Sequence, residues 1–140
     1  MMTKACVFCS ISSGAAPASV IAEDALTLTF VDLRQWHPGH VLVIPRQHFN
    51  DIRDMDDATL HAVISAVSRA ARAVDKAFPS DGISIWHSAG EGANQEVSHA
   101  HFHVHPRFFN DGMLAVYRSL PENSGRTPLD AVAARLRAHL

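Results

Sequence analysis

Hydrophobic and polar positions recur at two different periods along this chain, and the changes of period mark its elements. From Ala25 to Val31 the period is two. Leu26, Leu28 and Phe30 share one face and Thr27 and Thr29 the other, which predicts a half-buried strand with Asp32 at its end. Trp36-His37-Pro38-Gly39 marks a turn, and His40-Val41-Leu42-Val43-Ile44 predicts a second strand closed by Pro45. The short connection makes these two antiparallel neighbours. From Asp56 the period becomes helical: Leu60, Val63, Ile64, Val67, Ala71, Val74 and Phe78 form one apolar stripe. Asp56 or Asp57 caps its start and Pro79 stops it, and His61 on this helix reads as exposed. Ile83 to His87 predicts a third strand, followed by a small-residue loop from Ser88 to Asn94. Ser12 to Ala18 reads as loop, as does the chain after Pro106 through Gly112. At the end, Thr127-Pro128-Leu129-Asp130 carries a cap residue, proline at the first helical position and an acid in the first turn. Leu129, Val132, Ala133, Leu136 and Leu140 make that terminal helix amphipathic. Strands with one long helix and one terminal helix predict an α+β domain on an antiparallel sheet.

Between the loop and Pro106 runs His99-Ala100-His101-Phe102-His103-Val104-His105. Four of the chain's 10 histidines alternate here with apolar residues. On a strand they share one face, with Ala100, Phe102 and Val104 on the core side. Neighbours on that face stand about 6.7 Å apart, so two imidazoles can lean onto one metal and four cannot. A histidine-rich tract can also be a metal buffer, a tag or a set of surface residues. Interleaving with a hydrophobic face argues against all three. The preceding glycines, Gly90 and Gly92, let backbone N–H groups crowd an anion, and a plain hairpin loop accounts for them equally.

Composition narrows the class. With 140 residues, 47% hydrophobic and 19% charged, the chain is a single globular domain, with residues from about 113 onward as a variable tail. A formal net charge of -2 gives no general attraction to nucleic acid or to an anionic membrane. No apolar run reaches the ~20 residues of a spanning helix, and Met1-Met2-Thr3-Lys4-Ala5 lacks a signal-peptide core. The two cysteines form Cys6-Val7-Phe8-Cys9, which supports three readings: half a metal site, a redox dithiol, or incidental thiols. A tetrahedral zinc site needs two further ligands from elsewhere. A cytoplasmic location is expected, because thiols without an export signal suit a reduced compartment.

The histidine strand resembles the signature of the histidine triad family of nucleotide hydrolases and transferases, His-φ-His-φ-His-φ-φ with φ apolar. It departs only at His105. The likeness extends to Gln95-Glu96-Val97 before the strand, Pro106-Arg107 after it, and Gly39 through His48 in the first half. Cys6-x-x-Cys9 resembles the start of the family's bacterial zinc-containing branch. The resemblance implies an antiparallel sheet of about five strands with one long helix and a C-terminal helix. It implies a nucleophile at His101, a phosphate site lined by His103 and His40, and ribose contact at Asp32. Phe8, Ile11 and Phe30 are implied as walls for a purine, and Gln95 with its neighbouring backbone as a phosphate contact. Ser88 and Asn94 lie in the same loop, the first where many relatives have asparagine and the second where glycine is common. Asparagine enters left-handed backbone more readily than most residues.

Four further expectations follow. Cys6, Cys9, His48 and His99 are expected to hold a structural zinc, with no organic cofactor. A homodimer is expected, the long helix and an edge strand at its interface and the segment from Tyr117 to Leu140 reaching toward the partner's site. The activity expected is cleavage at the α-phosphate of a purine nucleotide in a phosphoramidate, a dinucleoside polyphosphate or an adenylated conjugate. The alternatives are a metal-dependent hydrolase using His101 and His103, and a nucleotide-binding scaffold with incidental turnover.

Overall fold

The computed structural model describes residues 5–113 and 115–140. The reading of residues 1–4 as lacking a signal-peptide core, and Leu114 within the tail segment, therefore lie outside the described residues. Five strands form one sheet in the order β1-β2-β3-β5-β4, with every neighbouring pair antiparallel. They are β1 (Val20–Glu23), β2 (Thr27–Val31), β3 (Val41–Pro45), β4 (Gly82–Trp86) and β5 (Phe102–Arg107). Among the described residues three α-helices accompany them: α1 (Val7–Ser12), α2 (Asp57–Ala77) and α3 (Arg126–Arg137). The class is α+β.

The long apolar stripe becomes α2, capped by Asp56, whose carboxylate accepts from the Thr59 N–H. Val63, Ala66, Val67, Ala70 and Val74 bury against Val41, Val43, Phe102 and Val104 on one face of the sheet. Removing such side chains from water supplies most of the folding free energy here, roughly 25 cal/mol per Å² of apolar surface. The opposite face carries a smaller cluster of Leu28, Phe30, Leu42 and Ile44, roofed by Phe8 of α1. That leaves the β5 side chains that alternate with Phe102 and Val104 to face away from α2, and these are the histidines.

Two expectations are corrected by burial. The threonine face of β2 is not solvent-facing: Thr27 and Thr29 are 1% and 2% exposed and share a groove with Ala66, Arg69 and Ala70 of α2. Thr27 is accommodated there because its hydroxyl donates to Asp24 at 2.7 Å. Leu26, by contrast, lies before the strand and is 42% exposed. Two elements escaped the pattern altogether. β1 is exposed along all four residues, so no buried face selects an alternation. α1 spans six residues with Phe8 as its one buried side chain, too short to show a helical period.

The histidine row also differs from its expected form. β5 begins only at Phe102, pairing Phe102 with Val43 and His103 with both Leu42 and Trp86. His99 and His101 precede this ladder, and the Ala100 N–H between them donates to the Phe49 carbonyl at 2.7 Å. Gly39 turns the chain into β3 with φ +111, and a Cβ there would lie 2.9 Å from the Phe78 ring, so neither the conformation nor the space admits another residue.

The chain divides after Phe109 into two compact units. In the second, Asn110–Leu140, α3 begins at Arg126 with Gly125 as its cap, two residues earlier than the Thr127 cap expected. Pro128 is thus the third helical residue, still among the four whose N–H has no partner within a helix. None of its residues is buried.

Candidate active site and metal cradle

A neutral imidazole has one N–H and one lone pair, and a carbonyl oxygen can only accept. Each ring bonded to a carbonyl is therefore held in one tautomer. His101 Nδ1–H donates to the His99 carbonyl at 2.8 Å, leaving its lone pair on Nε2. His40 Nδ1–H donates to the Arg34 carbonyl at 3.1 Å, so its Nε2 is an acceptor. His103 Nδ1–H meets that acceptor at 2.9 Å, which leaves the His103 lone pair on Nε2. His103 and His40 form a two-ring relay polarised one way, from His103 through His40 to the main chain. Asp32 stands beside it, one carboxylate oxygen 3.6 Å from His40 Nε2 and the other accepting the Arg34 N–H at 2.8 Å. His101 and His103 have ring centroids 5.1 Å apart.

Burial keeps this row neutral. Loss of hydration lowers the pKa of His40, His99, His101 and His105, and it takes His103 down to about 3, with the fields of His101 and His40 adding to the effect. The departure from the family pattern, His105, is fully buried; its Nδ1 donates to the Pro106 carbonyl at 2.7 Å and its ring packs 4.6 Å from His40.

Cys6, Cys9, His48 and His99 converge, with one donor atom from each lying within 4.8 Å of all the others. Cys6 Sγ is 3.5 Å from His99 Nδ1, and Cys9 Sγ is 3.4 Å from His48 Nδ1 and 3.6 Å from His99 Nδ1. Zinc–sulfur and zinc–nitrogen bonds of about 2.3 and 2.05 Å at the tetrahedral angle set sulfur and nitrogen about 3.6 Å apart. The cradle has the dimensions of such a site. Its outer bonds agree: His99 Nε2–H donates to the Pro45 carbonyl at 2.8 Å and His48 Nε2 faces Asn50 Oδ1 at 3.3 Å, which points both Nδ1 lone pairs inward.

The remaining expected contacts divide. Phe8 packs edge-on to His101 and to Phe30 at 5.2 and 5.6 Å, and Ile11 lies against the same cluster. Phe8 and Phe30 are 7% and 4% exposed, so they offer a ligand only an edge. Gln95 spends its side chain on the protein: Oε1 accepts from the Gly90 N–H at 2.7 Å, and Nε2 donates to the Asn50 and Val97 carbonyls. It shapes the loop and has no donor left over. Asn94 takes left-handed backbone at φ 63, ending the turn Glu91–Ala93, and Ser88 sits half-buried where the chain leaves β4.

Three residues that shape the site went unassigned in the sequence. Gln35 ties the turn before β3 together, accepting from the Gly39 N–H at 2.9 Å and donating to the Asp32 and His40 carbonyls at 2.7 and 2.8 Å. Trp86 stacks flat on His103, 4.3 Å away and 5° from parallel, as its register opposite His103 allows. His87 bonds the His101 carbonyl at 2.9 Å. No spacing rule marks any of them: Trp86 and His87 act on residues beyond their own strand, and Gln35 on main-chain groups of its own turn.

Comparison with known proteins gives this arrangement a family. A model described as HIT domain matches residues 13–110. The protein named Protein hit from Bacillus subtilis is 36% identical over 115 residues, covering 81% of this chain and 79% of that one. The adenosine 5'-monophosphoramidase hnt1 of Schizosaccharomyces pombe is 33% identical over 102 residues, covering 73% and 74%. Among solved structures, a HIT family member from Bacillus subtilis superposes with a TM-score of 0.90 at 31% identity, covering 98% of each chain. A zinc-bound histidine triad family protein from Mycobacterium smegmatis has a TM-score of 0.72 at 37% identity, covering 96% of this chain and 97% of that one. The chain belongs to the HIT domain family.

The neutral row has a consequence for acid stability. An unfolded histidine takes up its proton near pH 6.5, whereas folded His103 resists until about pH 3. Over that window the unfolded state binds more protons, so stability falls as pH falls. The urea midpoint should decline steadily from pH 6.5 toward pH 4, and less steeply in His103→Asn. A midpoint independent of pH across this range would contradict the buried neutral row.

Proposed function

We propose that the protein is a nucleotide hydrolase or nucleotidyl transferase working through a covalent nucleotidyl-histidine at His101. The observation that carries this reading is the tautomer of His101, whose Nδ1–H is spent on the His99 carbonyl at 2.8 Å. Its Nε2 lone pair attacks the α-phosphorus, a P–N bond forms, and the leaving group departs with the electrons of its bond to phosphorus, an amine taking up a proton from solvent as it goes. Water then attacks the same phosphorus, the P–N pair returns to Nε2, and His103 Nε2 takes the water's proton through the relay to His40. The substrate class is a purine nucleotide joined at its α-phosphate to an amine, a second nucleotide or an acyl or sulfate group. The likeness to an adenosine 5'-monophosphoramidase supports the first of these. Asp32 would hold the ribose, with Phe8, Ile11 and Phe30 edging the base, and Ser88, Asn94 and Gln95 shaping the phosphate loop. No helix of the described residues is long and apolar enough to cross a membrane.

A metal-dependent reading has one observation in its favour: donors of Asp32, His40 and His103 lie within 4.8 Å of one another. The 2.9 Å contact between His40 and His103, however, already holds a proton between two nitrogens. A metal would have to displace it. The hydrogen-bonded relay is the better account.

Zinc belongs in the other cradle. Bound by Cys6, Cys9, His48 and His99, it would fasten α1 to the start of the histidine row and take no part in the reaction. β4 forms a free edge of the sheet with Ile85 51% exposed, and a second copy paired there would cover it.

Three experiments test this reading. His101→Asn should lower nucleoside monophosphate release by on the order of 10⁴ while nucleotide affinity and zinc content stay near wild type. His103→Asn should cost less. A His101→Asn protein keeping more than a few per cent of turnover, or acid-labile nucleotidylation mapping elsewhere, overturns the assignment. Elemental analysis should find about one zinc per chain in protein purified without chelators. Cys6→Ser should lose it, and full occupancy in that variant would remove the cradle from consideration. Light scattering should give twice the 15.2 kDa chain mass at micromolar concentration; the chain mass itself would end the dimer.

A further inference from the structure

β4 and β5 part company just where the chemistry begins. Their last pair is Trp86 opposite His103, and continuing that register would set Ser88 against His101. The chain instead turns into the loop after Trp86, so the His101 carbonyl lies beyond the ladder. The imidazole of His87 fills the gap. Its Nδ1 is 2.9 Å from the His101 carbonyl oxygen, and its Nε2 is 3.1 Å from the Ile52 main-chain N–H. The first partner can only accept and the second can only donate. Together they fix His87 as the neutral Nδ1–H tautomer, with both nitrogens used. The ring face also stacks on Phe102, centroids 4.5 Å apart and 16° from parallel.

Ile52 opens a turn that is itself tightly held. Asp51 accepts from the Arg53 N–H at 2.9 Å and pairs with the Arg53 guanidinium at 2.9 and 2.7 Å, while the Asp54 carboxylate accepts from the Asp51 N–H at 3.2 Å. The same turn region supplies the Phe49 carbonyl that takes the Ala100 N–H. The segment His99–His101 is thus anchored at two points to one rigid turn, once directly through Ala100 and once through the His87 ring.

We propose that His87 is a positioning residue for the nucleotidyl transfer: its Nδ1–H stands in for the missing main-chain donor and fixes the peptide that aims His101. The proposal rests on the reading of His101 as nucleophile. In-line attack tolerates little misalignment, and an error of about 1 Å costs on the order of 100-fold in rate. His87 touches no reacting atom in this scheme. Its effect therefore falls on kcat and leaves KM nearly unchanged.

Two isosteric amides separate the ring's two bonds. Asparagine reaches the position of an imidazole Nδ1 and can donate to the His101 carbonyl; glutamine reaches that of Nε2 and can accept from Ile52. His87→Asn should keep kcat within a few-fold of wild type, whereas His87→Gln and His87→Leu should lower it by roughly 10- to 100-fold with KM moved less than about threefold. A purely structural role predicts a different result: equal losses for Asn and Gln, running in parallel with Tm, and that result overturns the proposal. In ¹⁵N-labelled wild-type protein at pH 7, His87 should give the Nδ1–H tautomer and the His101 Nδ1–H should be protected from exchange, a protection kept in His87→Asn and lost in His87→Gln. An Nε2–H tautomer at His87 overturns the brace without any variant having to fold. If no nucleotide is turned over at all, the nucleophile reading fails, and these spectra still decide whether the brace exists.

Discussion

The bond on which this site depends runs from an imidazole N–H to a main-chain carbonyl. His40, His99, His101, His105 and His87 each make one, to Arg34, Pro45, His99, Pro106 and His101 respectively. A free histidine samples two tautomers and a protonated form near neutral pH, and a row of four would present a mixture of donors and acceptors. Carbonyls that can only accept, together with burial that disfavours the cation, reduce each ring to one state. The chemistry of the row is therefore written in the backbone around it. Identical rings are set oppositely, since His99 leaves its lone pair on Nδ1, beside the thiols, and His101 leaves its own on Nε2.

The turn after β3 has a comparable reach. His48 enters the cradle, Phe49 and Asn50 supply carbonyls to Ala100 and Gln95, and Ile52 supplies an N–H to His87. Four of five consecutive residues thus set the position of the thiol pair, the histidine row and the glycine-containing loop. The Asp51–Arg53 pair and the Asp54 capping bonds make the turn stiff enough for that. The Arg53 guanidinium and N–H groups also hold the Asp51 carboxyl well below the usual carboxylate range, so the turn keeps its charge into acid.

Much of this was legible in the sequence because burial writes a period. The stripe on α2, the apolar run of β3 and the alternation of histidine with Ala100, Phe102 and Val104 each reflect a buried face. The convergence of Cys6 and Cys9 with His48 and His99 was legible for a different reason: a tetrahedral zinc site on two cysteines would need two more ligands, and these two histidines stand beside the thiols. What stayed hidden has no period to leave. β1 is exposed on both sides, α1 is too short, and the Thr27 and Thr29 face is buried through a side-chain bond to Asp24 that polarity alone reads as solvent. Trp86 and His87 act through partners distant in the chain, so their roles exist only once the register is set, and Gln35 bonds main-chain groups of its own turn, which no side-chain period records.

The cradle has one more consequence, for how the chain comes together. Its thiols meet His99 across 93 and 90 positions of sequence, the longest separations among the side-chain bonds of the site. Closing a loop of that length is entropically costly, and the cost rises with the logarithm of its length, so such a contact forms late unless other structure has already brought its ends close. The sheet does so by seating β5 beside β3. An ion held by the four donors would clasp the two ends of that loop together, adding the free energy of its ligand bonds to the folded chain.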